Sequence, residues 1–461
     1  MNLTIREIAE ITGGKILCGD EETRLRHLSF DSRDIPEDCL FIPTIGARVD
    51  GHDFIAGAFE KGALAALTAR GDIIRPDRAH ILVKDTQKAL EALGRYHRSL
   101  FKGTVTGITG SVGKTTTREL TKAALSAGGT VTGTMKNMNS QIGTPVVLAH
   151  MDLNAERAVM EMGISEPGEM RDLIDLVHPT IAVVTNIGVA HIEYLGSREG
   201  ICEEKMHIAD ELGPDNWIIL NGDEPLLKQA GSRLSCRVLY YGFSPENDLY
   251  AEDINETDGI SFTAVLKKDG EDALRIPVVL RIPGRHNILN ALAALGAAWA
   301  EGIDPFAAAR AMGEFEGFSR RLERIRLGGL LVIDDSYNAS PPSMEAALSV
   351  LEKAEGARRI AVLADMLELG EGAERLHREV GCFAANREID FFLLIGELVS
   401  QMEEPLQKAG KNYIRCRDWQ EGEEALTGML KAGDTVLLKG SNGMRLDLLL
   451  AALKKNRPEG E

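Results

Sequence analysis

The sequence predicts an α/β protein of three domains: a small N-terminal α/β domain over residues 1–100, a central α/β domain with a phosphate-binding loop (P-loop) over 101–317, and a C-terminal doubly wound, Rossmann-like domain over 318–461. Three observations predict it. A β-branched run at 104–109 breaks into Gly110-Ser111-Val112-Gly113, and Lys114-Thr115-Thr116 then open a helix expected to reach about 127. From 329 onward, strand-like runs at 330–334, 360–363, 391–395 and 435–439 alternate with helical patterns at 343–354, 373–386, 421–430 and 446–455. That alternation implies a doubly wound, largely parallel sheet. Finally, 461 residues are too many for one hydrophobic core.

Strand, glycine turn, Lys-Thr and helix are the parts of a phosphate-binding loop. Glycines let backbone N–H groups approach phosphate oxygens, and a helix N-terminus supplies partial positive charge. Lys114 can reach terminal phosphates, and Thr115 can offer its hydroxyl to magnesium. Ile108 stands where the common eight-residue pattern requires its first glycine, so this is the tighter G-x-x-G-K-T form.

Composition excludes several classes. The net charge is −18, which argues against a nucleic-acid or membrane-surface protein. An anionic substrate must then be met by local lysines, arginines and helix N-termini. Six cysteines lie far apart with no C-x-x-C, a pattern of reduced thiols in a cytosolic protein. The start, MNLTIREIAEITGG, lacks a basic stretch followed by an apolar one, and no apolar run reaches about 18 residues. The expectation is a cytoplasmic chain without stable membrane insertion.

In the first domain, Thr4-x-x-Glu7 is a capping box for a short helix ending at Gly13-Gly14. Strand-like runs follow at 25–30, 39–43, 65–68 and 80–83, with helical patterns at 53–61 and 86–100. Its polar loops, Asp31-Ser32-Arg33 and 49–53, read equally as solvated turns, with a helix cap at Asp53, or as a binding site.

The central domain continues with a polar loop at 136–141, a helix at 142–150, and strands at 157–162, 180–186 and 217–220. Ligands of open α/β sheets bind outside the carboxyl ends of the strands. Glu161 and His191, at or beyond two such ends, therefore point to the same edge as the phosphate loop, as candidates for a metal. A helix is expected over 197–212 with Ser197 as its cap, and it carries Lys205. Taken alone, a lysine on a helix is a solvated charge. Residues 250–283 alternate like hairpins around an Asp269-Gly270 turn, and PGRHN at 283–287 enters an alanine-rich helix. Asn287, taken alone, is a helix cap.

Together these stretches resemble the Mur ligases, ATP-dependent amide-forming enzymes of peptidoglycan synthesis. The resemblance spans essentially the whole chain: TGSVGKTT (109–116), Glu161-Met162-Gly163, residues 186–191, Ser197-Arg198-Glu199-Gly200 with Lys205, PGRHN, Arg321-Leu322-Glu323, and Asp335-Ser336-Tyr337-Asn338. Four features resemble the branch that joins D-alanyl-D-alanine to UDP-N-acetylmuramoyl-tripeptide: Asp31-Ser32-Arg33, Asp50-Gly51-His52-Asp53-Phe54, DDSYNASP (334–341), and Asp365-Met366-Leu367-Glu368-Leu369-Gly370. The Asp-Asn-Pro-Arg signature of the diaminopimelate-adding relative is absent. One departure is Asn137-Met138-Asn139-Ser140-Gln141, where paired asparagines are expected.

The resemblance implies the following. ATP is bound by Gly110, Ser111, Val112, Gly113, Lys114, Thr115 and Thr116, and by Asn287, Arg321, Asp335 and Asn338. Lys114, Glu161, His191 and Lys205 are catalytic. Thr115 and Glu161 hold one magnesium; His191 helps hold a second, beside a carbamylated Lys205. Asp31, Ser32 and Arg33 take the UDP end of the substrate. Asn139 and Ser140 are further substrate contacts, and Lys439 and Ser441 meet the incoming dipeptide. A monomer is expected. The nearest rival is a Mur-type or folylpolyglutamate-type ligase adding another amino acid; a rival of another class is a nucleotide-binding regulatory protein without ligase activity.

Overall fold

The computed structural model of the chain describes residues 1–46, 49–256, 259–268 and 271–456. The expected turn at Asp269-Gly270 lies outside the described residues. Among them, no helix is long and apolar enough to cross a membrane.

The first domain holds a two-stranded pair, Leu3–Thr4 with Arg24–Leu25, and a five-stranded sheet among the described residues, the latter ordered Lys15–Cys18, Ala79–Leu82, Ala65–Thr68, Cys39–Phe41, His27–Ser29. The first pair of this sheet is antiparallel and the others parallel. Thr4 and Glu7 form the reciprocal capping box of helix Ile5–Thr12, which ends at Gly13 with φ +63°. The cap near residue 53 is Asp50 rather than Asp53: its side chain accepts from His52 N, and a 3₁₀ turn, Gly51–Phe54, precedes helix Ile55–Glu60. Helix Thr86–Leu100 carries this domain onto the next. Its Gly94 packs so tightly on Pro145 that a Cβ there would sit 2.9 Å from Pro145 Cα.

The middle sheet has nine strands among the described residues, with Thr104–Thr109 between Arg157–Glu161 and Ile181–Val184. Seven strands, from Val131–Gly133 through Leu249–Asn255, are parallel; Ile260–Lys268 and Glu271–Leu280 add antiparallel pairs at one edge. The chain leaves Thr104–Thr109 to one side and later returns on the other, so its carboxyl end is a topological switch point. Register sets Glu161 opposite Ile108 and Val184 opposite Thr109. One face buries Ile108, Leu120, Val183, Ile219 and Leu292 under helices Lys114–Ser126 and His286–Ala300. The opposite face buries Val105, Met160, Leu173, Ala182 and Ile201.

The third sheet has six strands among the described residues, ordered Glu323–Leu327, Leu330–Asp335, Asp434–Lys439, Arg358–Ala364, Phe391–Ile395, Asn412–Cys416. All neighbours are parallel except the first pair. Separate cores lie on its two faces, one with Met344, Val380 and Leu406, the other with Leu426 and Leu449, as a doubly wound sheet requires.

Several strands are absent from the sequence reading. Lys15–Cys18, Val131–Gly133, Glu323–Leu327 and Asn412–Cys416 are all edge strands, where one side of the ladder is unpaired and the apolar signal is weak. Arg237–Gly242 is an interior strand also missed. The helix expected over 197–212 is α-helical only at Arg198–Met206 and tightens into a 3₁₀ turn at His207–Ala209.

Candidate active site

The phosphate loop lies against the end of the neighbouring strand. Gly110 has φ +147°, and a Cβ there would fall 1.9 Å from Thr185 Oγ1, so only glycine lets the loop approach. Ser111 N donates to Asn186 O at 3.1 Å and Val112 N to Asn186 Oδ1 at 3.0 Å. Gly188 N donates to Ser111 Oγ at 2.8 Å. Gly113, at φ +83°, starts helix Lys114–Ser126 without a side-chain cap, so the first-turn amides carry the positive end of the helix dipole. Lys114 Nζ donates to Gly110 O at 2.7 Å and Ser111 O at 3.3 Å. Burial lowers its pKa, opposed by the Glu161 carboxylate and reinforced by Arg321.

Glu161, 1% exposed, is the best-supported carboxylate in the site. Thr115 Oγ1 donates to its Oε1 at 3.3 Å, Asn139 Nδ2 to Oε1 at 2.7 Å, and Arg118 Nη1 to Oε2 at 2.9 Å. Asn139, read from the sequence as a substrate contact, donates to Glu161 and also lines the cavity between the domains. Arg118 is missed by the sequence reading. It is 2% exposed and also donates to Glu119 Oε1 and Lys136 O, each at 2.7 Å. Its signal was available: it follows Lys114 by one helical turn, on the same face. The hard oxygens of Thr115 and Glu161 suit magnesium. No group of three His, Cys, Asp or Glu able to hold a metal occurs among the described residues.

His191 precedes the turn Ile192–Leu195 at φ +61°, and Lys205 lies on helix Arg198–Met206. Lys205 is not a solvated surface charge. It is 2% exposed, and its ammonium group makes no hydrogen bond or ion pair among the described residues. Burial, then the Lys114 charge, pulls its pKa well below the ordinary lysine value, against Glu204 and Glu169. Neighbouring Glu204 is used locally, accepting from Gly168 N at 3.0 Å and Met170 N at 2.9 Å. Burial also lowers the His191 pKa.

The C-terminal domain closes the other wall. Lys439 Nζ contacts Asp335 Oδ2 at 2.7 Å and donates to Asn338 O at 2.7 Å. Lys439, read from the sequence as a dipeptide contact, is buried and holds two candidate nucleotide residues together, and it also lines the cavity between the domains. Ser441 is buried and accepts from Leu367 N at 2.9 Å; it is not among the cavity-lining residues. The Arg321 guanidinium stacks 4.3 Å from the Tyr337 ring centre. Asn287 is not a cap: its Nδ2 donates back to Pro283 O at 2.6 Å, and its Oδ1 accepts from Asn290 Nδ2 at 2.8 Å. Asn290 in turn accepts from Thr117 Oγ1 at 3.1 Å, tying two helices together behind the loop.

Between these walls lies a cavity of about 600 Å³. Its lining brings together Ser111–Thr116, Ser140, Glu161, His191, Asn287, Arg321, Asp335, Asn338 and Lys439. Lys205 sits behind the wall rather than on it. Asp31, Ser32 and Arg33 lie outside the cavity: Arg33 forks onto Asp31 at 2.8–3.2 Å, and Ser32 O accepts from Lys61 Nζ at 2.8 Å.

A phosphate loop facing buried acids and bases across a domain interface defines a nucleotide-dependent enzyme with a site shared between domains. Three family models match in series: "Mur ligase family, catalytic domain" at 24–98, "Mur ligase middle domain" at 108–298, and "Mur ligase, glutamate ligase domain" at 320–442. The chain belongs to the Mur ligase family. It is 38% identical over 459 residues, 98% of each chain, to the UDP-N-acetylmuramoyl-tripeptide–D-alanyl-D-alanine ligase of Bacillus subtilis. Among solved structures, MurF from Acinetobacter baumannii matches with TM-score 0.85 at 28% identity, covering 99% of both chains. MurF ligase from Thermotoga maritima in complex with ADP matches with TM-score 0.76 at 29% identity, covering 93% of this chain and 97% of that one.

Proposed function

We propose that the interdomain cavity joins D-alanyl-D-alanine to UDP-N-acetylmuramoyl-tripeptide in peptidoglycan precursor synthesis, converting ATP to ADP and phosphate. The observation that carries this is the end-to-end match to ligases of that activity, at 38% identity. A carboxylate is a poor acyl donor because its leaving group would be oxide. Its attack on the ATP γ-phosphate releases ADP and gives an acyl phosphate. The dipeptide amine then displaces phosphate, losing one proton as the amide forms.

The residues divide this work. Positioning and charge stabilisation dominate phosphoryl transfer. Lys114 and the amides of residues 110–116 take the ATP phosphates, with Lys114 turning from its loop carbonyls towards the transferring group. Asn287, Arg321, Asp335 and Asn338 take the rest of the nucleotide. Magnesium, when bound, neutralises phosphate charge. Thr115 and Glu161 are the residues for one ion, with Arg118 and Asn139 fixing the carboxylate; His191 serves a second. We assign a carbamate to Lys205. Burial favours the neutral amine, which adds to carbon dioxide and loses a proton, converting a buried amine into an anionic oxygen donor. The UDP end of the substrate falls to Asp31, Ser32 and Arg33, and Ser140 is a nearer contact. A UDP-linked precursor and ATP put the reaction in the cytoplasm.

Phosphate release provides the test. It should require both UDP-N-acetylmuramoyl-tripeptide and D-alanyl-D-alanine, and single amino acids should not replace the dipeptide. Lys114→Ala should lower the rate by about 10²–10³. Equal turnover with a single amino acid would move the chain to another branch of the family.

A further inference from the structure

One contact ties the C-terminal domain to His191 itself. The segment entering it is already committed across the interface, since Val189 packs against the C-terminal core. The turn Ile192–Leu195 meets the 3₁₀ turn Gly370–Gly372, so closely that a Cβ on Gly370 would lie 3.2 Å from Glu193 Cβ. Between these contacts, Glu368 Oε2 lies 3.5 Å from His191 Nδ1. Both residues adopt positive φ, +62° and +61°, a conformation uncommon for side chains of their kind. The loop bearing Glu368 is anchored to its own sheet. Met366 N donates to His377 Nε2 and Leu367 N to Ser441 Oγ, both at 2.9 Å, and Met366 and Leu369 are buried. The Glu368 side chain is nonetheless 65% exposed, so burial of its own surface does not explain its direction.

A carboxylate at Nδ1 has a definite consequence for an imidazole. At 3.5 Å the two make an ion-pair contact and not a hydrogen bond; as the domains draw together the carboxylate would accept from Nδ1–H, which leaves the Nε2 lone pair for a ligand and fixes the plane of the ring. We propose that Glu368 is a positioning residue for His191, supplied by the C-terminal domain, so that the histidine is set for its metal only when the two domains meet. This rests on the reading of His191 as a magnesium residue. It also gives Ser441 a role: its hydroxyl fixes the loop that presents Glu368, rather than meeting substrate.

The test uses the full chain with ADP and Mn²⁺ as a paramagnetic probe, binding being read by electron paramagnetic resonance. His191→Ala, Glu368→Ala, Glu368→Gln and the His191→Ala/Glu368→Ala double variant are compared, with thermal melting as a control for folding. Glu368→Ala should weaken Mn²⁺ binding by about tenfold, the scale of outer-shell losses. Glu368→Gln, whose amide oxygen accepts the same N–H, should recover most of it. The double variant should bind no worse than His191→Ala, because Glu368 acts through the histidine. If His191→Ala weakens binding while Glu368→Ala does not, or if the two losses multiply, the positioning role is overturned and the metal role of His191 stands. If His191→Ala leaves binding unchanged, the metal reading fails and the proposal falls with it.

Discussion

The interdomain cavity and the polar loops of the N-terminal domain use the same residue types in opposite settings. At the cavity, Glu161 and Lys439 on its wall and Arg118 beside them are almost wholly buried, as is Lys205 near them. Their partners come from distant parts of the chain: Glu161 meets Arg118 across 43 residues and Lys439 meets Asn338 across 101. In the loops, Arg33 pairs with Asp31 two residues away, and Arg70 bridges Asp50 and Asp53, all at the surface. A buried charge must be compensated or neutralised, whereas an exposed pair loses little when broken. Burial is therefore the stronger pointer to chemistry, and Lys205, buried without a partner, is the strongest case.

Breaking that contrast at its most buried pair should give the largest effect. Arg118→Met removes the cation from Glu161 Oε2 while keeping the length of the side chain. Leaving the carboxylate uncompensated should destabilise the middle domain by about 3–5 kcal/mol, read by denaturant unfolding. Adding Glu161→Gln should recover most of that stability and none of the activity. If Arg118→Met unfolds like the parent, the pair is not the compensated buried charge described here.

Lys205 comes next. Lys205→Ala should lose activity by about 10², the scale of a lost electrostatic stabiliser, and added acetate should restore part of it. Lys205→Arg should not recover it, because guanidinium keeps the charge and cannot become an oxygen donor. Full activity in both variants would return Lys205 to a structural role.

The same contrast explains how much of the molecule is legible in its sequence. The strand Thr104–Thr109, its glycines and the Lys114 helix are local and readable in one short window. Glu161 and His191 were reachable because parallel strands end on one edge. Asn139 and Lys439 are legible as site residues, but their contacts with Glu161 and Asp335 are not, since neither partner adjoins them in sequence. Arg118 went unread because the composition of a helix does not say which of its charges faces inward. The burial of Lys205 is likewise set by packing from other segments. Edge strands such as Glu323–Leu327 and Asn412–Cys416 are five residues long and bury only two and one of them, so little apolar signal marks them.

The smallest effect is expected in the N-terminal loop, where Arg33→Ala sharpens the comparison. The Arg33 guanidinium, followed by its backbone N–H, holds the Asp31 carboxyl down at about 2, against an ordinary 3.8. A depressed carboxylate adds stability that is complete above the ordinary value and lost as pH falls from 3.8 towards about 2. In Arg33→Ala, the Asp31 titration followed by NMR should therefore move up towards 3.8. Acid stability should change only in that window, and by little, because the pair is exposed. If Arg33 also meets the UDP end of the substrate, the KM for UDP-N-acetylmuramoyl-tripeptide should rise roughly fivefold, about 1 kcal/mol for one exposed charge-assisted contact, with kcat unchanged. A shifted Asp31 titration with an unchanged KM would make Asp31-Ser32-Arg33 a structural turn and remove it from the substrate site. A fall in kcat would couple this distant loop to the chemistry and undo the division between the two regions.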